Sequence, residues 1–191
     1  MKRQIRNCVF ETNSSSTHAI CIAKEGYTKG NHIEFDIGEF GWEVDTYTDL
    51  YSRASYLITA IFDSSKEYAD EKLQQLKDIL DAENITYSIP EPDVKSWEWN
   101  GKTEYYYDID GYIDHVGDTH EFLDAVLSDS DKLMRYLFGD SMIVTGNDNG
   151  DGYSDIMYVD EGEEVTKYGT FKRYGDLKPE FNDYEIYYKG N

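Results

Sequence analysis

Short stretches in which apolar and polar residues alternate recur along the chain, and this pattern is typical of β-strands with one buried face. Residues 5–10 and 19–23 predict two strands, which a run of Ser, Thr and Asn residues joins as a turn. In residues 32–37, three apolar positions alternate with Glu34 and Asp36. A strand there would bury one face and expose an acidic one.

Helical spacing, with apolar residues at every third and fourth position, predicts helices in three other regions. These regions are residues 46–62, 64–82 and, in two pieces, 118–138. Thr46 or Thr48 can cap the first helix, and Ser64 with Glu67 matches the capping box that opens many helices. Gly139 fits the end of the third region, because glycine often follows the last helical turn.

Turn residues divide the rest of the chain into further strands. Residues 85–89 predict a strand that stops at a Pro-Glu-Pro turn. Asn100 and Gly101 together are a strong hairpin signal between strands predicted at residues 97–99 and 103–107, because both tolerate the positive φ of a tight turn. Four more strands, which would form an antiparallel C-terminal sheet, are predicted at residues 142–145, 155–159, 166–174 and 184–189.

The order of these elements favours an α+β fold over a doubly wound parallel one, because the helices are grouped between groups of strands. With 191 residues, 39% of them apolar, the chain can bury a substantial core. We expect a single α+β domain over residues 1–191, in one lobe or two, with antiparallel sheets and about three to four helices.

The formal net charge of -21 changes the picture, because 39 Asp and Glu residues face only 18 Lys and Arg residues. Direct binding of DNA or RNA is disfavoured, since a nucleic-acid binder needs a stripe of basic residues. Spread evenly over a 22.2 kDa monomer, the charge would give one net negative per roughly 450 Å², against one per roughly 100 Å² on duplex DNA. Imitation of a nucleic acid therefore requires that carboxylates be gathered on one face.

The location of the protein is also suggested by what the sequence carries. No apolar segment follows the basic N-terminus, and no run approaches the roughly 18 apolar residues of a membrane span, so neither a signal peptide nor a membrane partner is predicted. Cys8 and Cys21 are too few for a disulfide framework, which fits a reducing compartment. We expect a cytoplasmic protein.

Acidic residues are interleaved with tyrosines, of which the chain has 18, most densely in residues 104–114. In a strand, carboxylates on alternate residues would lie on one face about 6.6 Å apart, close to the phosphate spacing of a nucleic acid strand, while Tyr105, Tyr107 and Ile109 would pack on the other. The predicted partner-binding residues are Glu104, Tyr106, Asp108, Asp110, Asp114 and Asp118. The alternative is an exposed acidic edge that only prevents unwanted strand pairing.

Residues 10–18 place a carboxylate, several hydroxyls and an imidazole close together in sequence. A serine nucleophile with a histidine base would suit an enzyme, and the candidate catalytic residues are then Glu11, Ser15 and His18. Two alternatives are a phosphate-binding loop near the basic N-terminus and a Ser-rich turn whose hydroxyls bind their own backbone.

A second polar segment can be compared with calcium-binding loops. Asn147, Asn149, Asp151 and Asp155 have the spacing of oxygen ligands in such a loop. Tyr158 stands where a bidentate Glu is expected, so only a weak calcium or magnesium site is predicted, and no other cofactor. The alternative is an acidic hairpin turn.

Two segments carry a resemblance to known proteins. Residues 6–18 read RNCVFETNSSSTH, and the later segments 136–139 and 145–149 read YLFG and TGNDN. They resemble segments of uncharacterised proteins from phages and mobile elements of Gram-positive bacteria. The resemblance implies a phage setting in the cytosol of a bacterial host, where small acidic proteins often resemble anti-defence factors, including anti-CRISPR proteins.

We therefore expect a non-enzymatic inhibitor that covers the basic nucleic-acid-binding surface of a host nuclease, such as a CRISPR effector, with an acidic, Tyr-rich face. The alternative is an enzyme of nucleotide or nucleic-acid metabolism that uses residues 11–18. A structural or regulatory phage protein that forms homo-oligomers also fits, and the sequence does not indicate an oligomeric state.

Overall fold

The structure is a computed structural model, and it describes residues 16–41, 43–147, 153–167 and 169–189. It confirms a single-domain α+β fold. The described helices are α1 (Leu50–Phe62), α2 (Lys66–Ala82), α3 (His120–Leu127), α4 (Ser130–Phe138) and α5 (Tyr153–Met157), with short 3₁₀ segments at Val116–Thr119 and Pro179–Phe181. The described strands are β1 (Ser16–Ala23), β2 (His32–Glu34), β3 (Glu39–Phe40), β4 (Asp45–Tyr47), β5 (Thr86–Ser88), β6 (Asp93–Trp99), β7 (Lys102–Asp108), β8 (Tyr112–Ile113), β9 (Met142–Asn147), β10 (Tyr158–Thr166), β11 (Gly169–Leu177) and β12 (Tyr184–Lys189).

A four-stranded antiparallel sheet in the order β12–β1–β9–β4 forms the centre of the fold. In its register, His18 of β1 lies opposite Lys189 of β12 and Thr145 of β9. All eight residues of β1 are buried, because the sheet is covered on both faces. This explains why residues 19–23 form an unbroken apolar run instead of an alternating one.

The two faces of this sheet pack against different groups of residues. On one face, Ile20 and Ile22 join the larger core, which includes the buried residues of α1, α3 and α4. On the other, Ala19 and Cys21 pack with Met157 of α5 and with Phe181 and other residues in a smaller cluster. The strand predicted at residues 5–10 lies outside the described residues.

Strand pairing differs from the predicted C-terminal sheet. β9 and β12 do not pair with each other but flank β1, while β10 and β11 form a separate antiparallel hairpin. The prediction of one sheet from the last four strands was therefore wrong. The remaining pairs are the β6–β7 hairpin and two short parallel pairs, β2 with β5 and β3 with β8. Strand β2 ends at Glu34 and is therefore shorter than the strand predicted at residues 32–37.

The strand predicted at residues 155–159 was also wrong, because its first half belongs to helix α5. Tyr153, Ile156 and Met157 have the i, i+3, i+4 spacing of a helical face, and all three belong to the smaller core cluster. A single turn of helix therefore covers the second face of the sheet, together with Phe181 of the 3₁₀ segment Pro179–Phe181.

Helix α1 begins at Leu50, later than predicted, because residues 45–47 form the edge strand β4. Its N-cap is Asp49, whose carboxylate accepts a hydrogen bond of 2.9 Å from the backbone N–H of Ser52. At the end of α4, the prediction for Gly139 is confirmed: it is the C-cap, and its N–H donates to the carbonyl of Arg135.

Helix α2 begins without the predicted capping box. Ser65 occupies the N-cap position and makes no side-chain cap. The hydroxyl of Ser64 instead donates to the carbonyl of Ala60 over 2.9 Å and lies 3.3 Å from Nε2 of His120. Ser64 therefore ties the corner between α1 and α2 to α3.

Arg53 fastens the start of α1 to the end of α4. Its side chain is buried, and its guanidinium donates to the carbonyls of Thr48, Leu137 and Ser141. Leu137 lies in the last turn of α4, where carbonyls lack helical partners. The bond from the hydroxyl of Tyr136 to the carbonyl of Arg53 adds a second tie between the same helices.

The hairpin predicted around Asn100 and Gly101 is confirmed. Both residues have positive φ, 49° and 74°, as a type I′ turn requires. Strand β6 starts at Asp93, several residues before the predicted start, and pairs with β7 along its whole length.

No helix in the described part of the chain is long and apolar enough to cross a membrane.

Candidate functional site

One face of the β6–β7 hairpin carries aromatic rings beside a carboxylate. Trp97 lies directly opposite Glu104, and Lys95 lies directly opposite Tyr106. Because paired residues share a face and side chains alternate along a strand, Trp97, Glu104 and Tyr106 lie on the same side of the hairpin. Glu104 thus has an aromatic neighbour across the strands and another along its own strand.

Tyr107, on the opposite face, holds the base of the hairpin against the helices. Its ring packs edge-on against Phe62 at a centroid distance of 4.9 Å. Its hydroxyl donates to Asp70 of α2, and the ammonium of Lys66 lies 5.4 Å from the centre of its ring. These contacts set the position of the hairpin relative to the corner between α1 and α2.

Between the hairpin and this corner lies an open cleft of about 620 Å³, which we call the acidic cleft. The helix side of the acidic cleft consists of residues 63–67 and Asp70. The hairpin side consists of Trp97 and residues 103–106. Four acidic residues line it, Asp63, Glu67, Asp70 and Glu104, and one basic residue, Lys66.

The four carboxylates differ in their surroundings. Burial raises the pKa of Asp63, and the hydrogen bond of 2.8 Å from the N–H of Ile113 partly offsets this effect. The ammonium of Lys66 lowers the pKa of Asp70, with Tyr107 contributing a second hydrogen bond. Among the described residues, neither Glu67 nor Glu104 has a hydrogen-bond or ion-pair partner.

The aromatic side chains of the acidic cleft are exposed to solvent. The exposed fractions are 49% for Trp97, 56% for Tyr105 and 37% for Tyr106. The alternating pattern predicts that Tyr105 packs with Tyr107 and Ile109, but of these three only Tyr107 and Ile109 pack against the core. Exposed rings beside unpaired carboxylates are unusual for a surface that serves only solubility, because aromatic residues are enriched in binding interfaces.

The predicted partner-binding residues divide between two places. Glu104, Tyr106 and Asp108 share the exposed face of β7, where Asp108 forms an ion pair with Lys95. Asp110 is exposed in the bend that follows. Asp114 and Asp118 lie elsewhere, close to Lys189 at the end of the central sheet.

Sequence reasoning missed Trp97, Asp63 and Glu67 as parts of this site. The position of Trp97 opposite Glu104 follows from the hairpin signal, since pairing outward from Asn100 and Gly101 fixes the register. No comparable signal marks Asp63 and Glu67, whose position depends on how the hairpin docks on α2.

Ser16, the first residue of β1, forms a buried polar cluster with Lys189 and Asp114. The ammonium of Lys189 donates to the carbonyl of Ser16 over 2.8 Å and to its hydroxyl, and the N–H of Ser16 donates to Asp114 over 3.1 Å. Burial lowers the pKa of Lys189, while Asp114 and Asp118 partly offset this shift. Both Ser16 and Lys189 are almost fully buried, so each side chain provides a hydrogen-bond partner for the other away from water.

His18 lies next to this cluster and is fully buried. Its Nε2 lies 2.9 Å from the carbonyl of Gly41, and its Nδ1 lies 2.9 Å from the hydroxyl of Tyr56. A carbonyl only accepts, so Nε2 carries the proton and Nδ1 accepts from Tyr56. Burial, with a smaller contribution from Lys189, lowers the pKa of His18 to about 4, so the imidazole is neutral at pH 7.

Of the three candidate catalytic residues, the structure describes only His18. Glu11 and Ser15 lie outside the described residues, and both ring nitrogens of His18 are engaged by Tyr56 and Gly41. The catalytic alternative therefore stays a prediction.

The predicted calcium ligands fall largely outside the described residues as well. Asn149 and Asp151 are not described, nor is the side chain of Asn147. Asp155 accepts hydrogen bonds from Lys172 over 2.6 Å and from Tyr174 over 2.8 Å. Within the described ranges, no group of three or more His, Cys, Asp and Glu side chains is arranged to hold a metal ion.

Comparison with known proteins found no matching family model, no matching curated protein and no matching solved structure.

Proposed function

We propose that this protein is a phage-type inhibitor, which binds the basic nucleic-acid-binding surface of a host defence nuclease, such as a CRISPR effector, through the acidic cleft. The observation that supports this most is that Glu67 and Glu104 have no cation partner among the described residues, while they border exposed Trp97, Tyr105 and Tyr106. Such a surface suits a partner that supplies the missing positive charges.

Both components of the surface have a role in this mechanism. Carboxylates attract the Lys and Arg residues that normally hold phosphates, and complementary charge speeds association. Aromatic residues act as anchors once water is excluded from them, and Trp and Tyr are among the residues that contribute most to binding energy. Local concentration of the carboxylates is essential to this mechanism, because the total charge spread over the whole surface would be too dilute to imitate a nucleic acid.

The enzyme alternative has less support. A base must reach the proton that it removes, and the imidazole of His18 is buried and bonded at both nitrogens. The ammonium of Lys189 does reach the hydroxyl of Ser16, but the two residues are almost inaccessible to a substrate. We therefore favour the binding protein.

The proposal predicts that Glu67→Gln with Glu104→Gln weakens binding to the nuclease by about tenfold or more, because both substitutions keep the side-chain shape and remove the charge. The measurement is the dissociation constant for purified, guide-loaded CRISPR effector nucleases, together with inhibition of DNA cleavage. The matched control is Glu163→Gln with Glu164→Gln, which removes two exposed charges from β10 and should change affinity by less than about twofold.

Salt provides an independent check of the same mechanism. Affinity of the wild-type protein should fall by about tenfold or more between 50 mM and 500 mM salt, because screening weakens the charge pairs. Failure to bind any of the nucleases, affinity that does not change with salt, or equal losses in the cleft and control variants would each contradict the proposal.

A further inference from the structure

We infer that the acidic cleft receives an arginine side chain of the partner, held between Trp97 and Tyr106 with its guanidinium on Glu104. This inference rests on the proposed function, since it names the group that the same cleft binds. It follows from how the aromatic and acidic residues are placed relative to each other.

The hairpin face presents a carboxylate with rings on two sides. Trp97 is the direct cross-strand neighbour of Glu104, at about 5 Å between Cβ atoms, and Tyr106 is the next residue on the same face of β7, about 7 Å along the strand. A flat cation that lies against one of these rings can still reach the carboxylate between them. Cations are attracted to the face of Trp and Tyr rings, most strongly to Trp.

The opposite wall supplies a second acceptor. Glu67 in the first turn of α2 faces the same cleft, and no described cation pairs with it. Lys66 does not neutralise either glutamate, because its ammonium is bound to Asp70 and lies over Tyr107. Lys95 lies on the same hairpin face as Glu104 and forms an ion pair with Asp108. Glu104 is therefore the acceptor on the hairpin side, and Glu67 lines the helix side of the same cleft.

Arginine fits this arrangement better than lysine. A guanidinium is planar, presents five N–H donors in a fixed fork and stacks on aromatic faces, so it can use a ring and the neighbouring carboxylate at once. An ammonium is a compact and strongly hydrated charge that gains less from stacking. A metal ion is a weaker candidate, since the described residues contain no metal-binding group.

The experiment compares two capped peptides of identical length, one with eight Arg-Gly repeats and one with eight Lys-Gly repeats, by calorimetry at 150 mM salt. The arginine peptide should bind the wild-type protein at least about fivefold more tightly than the lysine peptide. Trp97→Leu, which keeps an apolar side chain but removes the ring, should bring this ratio close to one. Glu104→Gln should weaken the binding of both peptides, and that of the arginine peptide by the larger factor.

Two control variants test whether the effect belongs to the acidic cleft. Tyr51→Ala removes another exposed ring, on α1, and Glu164→Gln another exposed carboxylate, on β10; neither should change the ratio. Circular dichroism confirms that each variant is folded, and Trp97→Phe, which keeps a smaller ring, should retain part of the preference if Trp97→Leu does not fold.

The outcomes separate this inference from the proposed function. Equal affinity for the two peptides, with loss of both in Glu67→Gln with Glu104→Gln, would overturn the choice of arginine and leave electrostatic binding in place. Absence of peptide binding, with nuclease inhibition that still depends on the two glutamates, would also overturn it. Nuclease inhibition that is unaffected by every cleft variant would contradict the proposed function itself.

Discussion

Replacing Arg53 with leucine is expected to lower the free energy of unfolding by about 3 to 5 kcal/mol. The guanidinium is buried, and it bonds to the carbonyls of Thr48, Leu137 and Ser141. Leucine fills part of the volume but leaves these acceptors without their donor, and buried polar groups without partners are costly. Urea denaturation with an unchanged m-value measures the loss as a shift of the midpoint.

Arg173→Leu is the matched control for this substitution. Arg173 lies on β11, is more than half exposed and pairs with Glu161 at 3.3 Å, so its loss should change stability by less than about 0.5 kcal/mol. Arg53→Lys keeps the positive charge but loses the forked N–H donors of the guanidinium. Its free energy of unfolding should lie between those of the two leucine variants. Similar midpoints for Arg53→Leu and Arg173→Leu would contradict the structural role assigned to Arg53.

Local patterns predicted much of the fold, because they involve residues close in sequence. The apolar spacing of α2, α3 and α4 and the turn at Asn100 and Gly101 are properties of short segments, and the structure confirms them. Pairing of β1 with β12 joins residues 161 to 171 positions apart, and nothing in the sequence of either strand identifies the other. α5 was missed because a five-residue helix is too short to show a clear period.

The candidate site could be predicted only in part for the same reason. The acidic and aromatic pattern of Glu104 and Tyr106 is visible in one strand, and the turn adds Trp97 once the register is counted. Glu67 joins them only because Tyr107 packs on Phe62 and binds Asp70, which is a tertiary contact. Asp114, in contrast, is close to β7 in sequence but accepts a hydrogen bond from the N–H of Ser16, outside the acidic cleft.

His18 is expected to make the folded protein lose about 3 kcal/mol of stability as the pH falls from 6.5 to 4. The pKa of His18 is about 4 in the folded protein, against an ordinary value of 6.5, so the unfolded chain binds a proton in this interval and the folded protein does not. The contribution of His18 is therefore complete above pH 6.5 and is lost toward pH 4. Protonation would place a positive charge next to Lys189 and leave Tyr56 without an acceptor for its hydroxyl.

The measurement is the free energy of unfolding at several pH values for the wild-type protein, His18→Gln and His32→Gln. Glutamine does not titrate, so His18→Gln starts from a lower stability at pH 7 but should lose about 3 kcal/mol less than the wild type on acidification. His32 is exposed and bonds to Thr86, so His32→Gln is the control for replacing a histidine at the surface. Parallel curves for the wild type and His18→Gln would mean that the imidazole titrates normally, which would contradict the buried, doubly bonded histidine described for the end of β1.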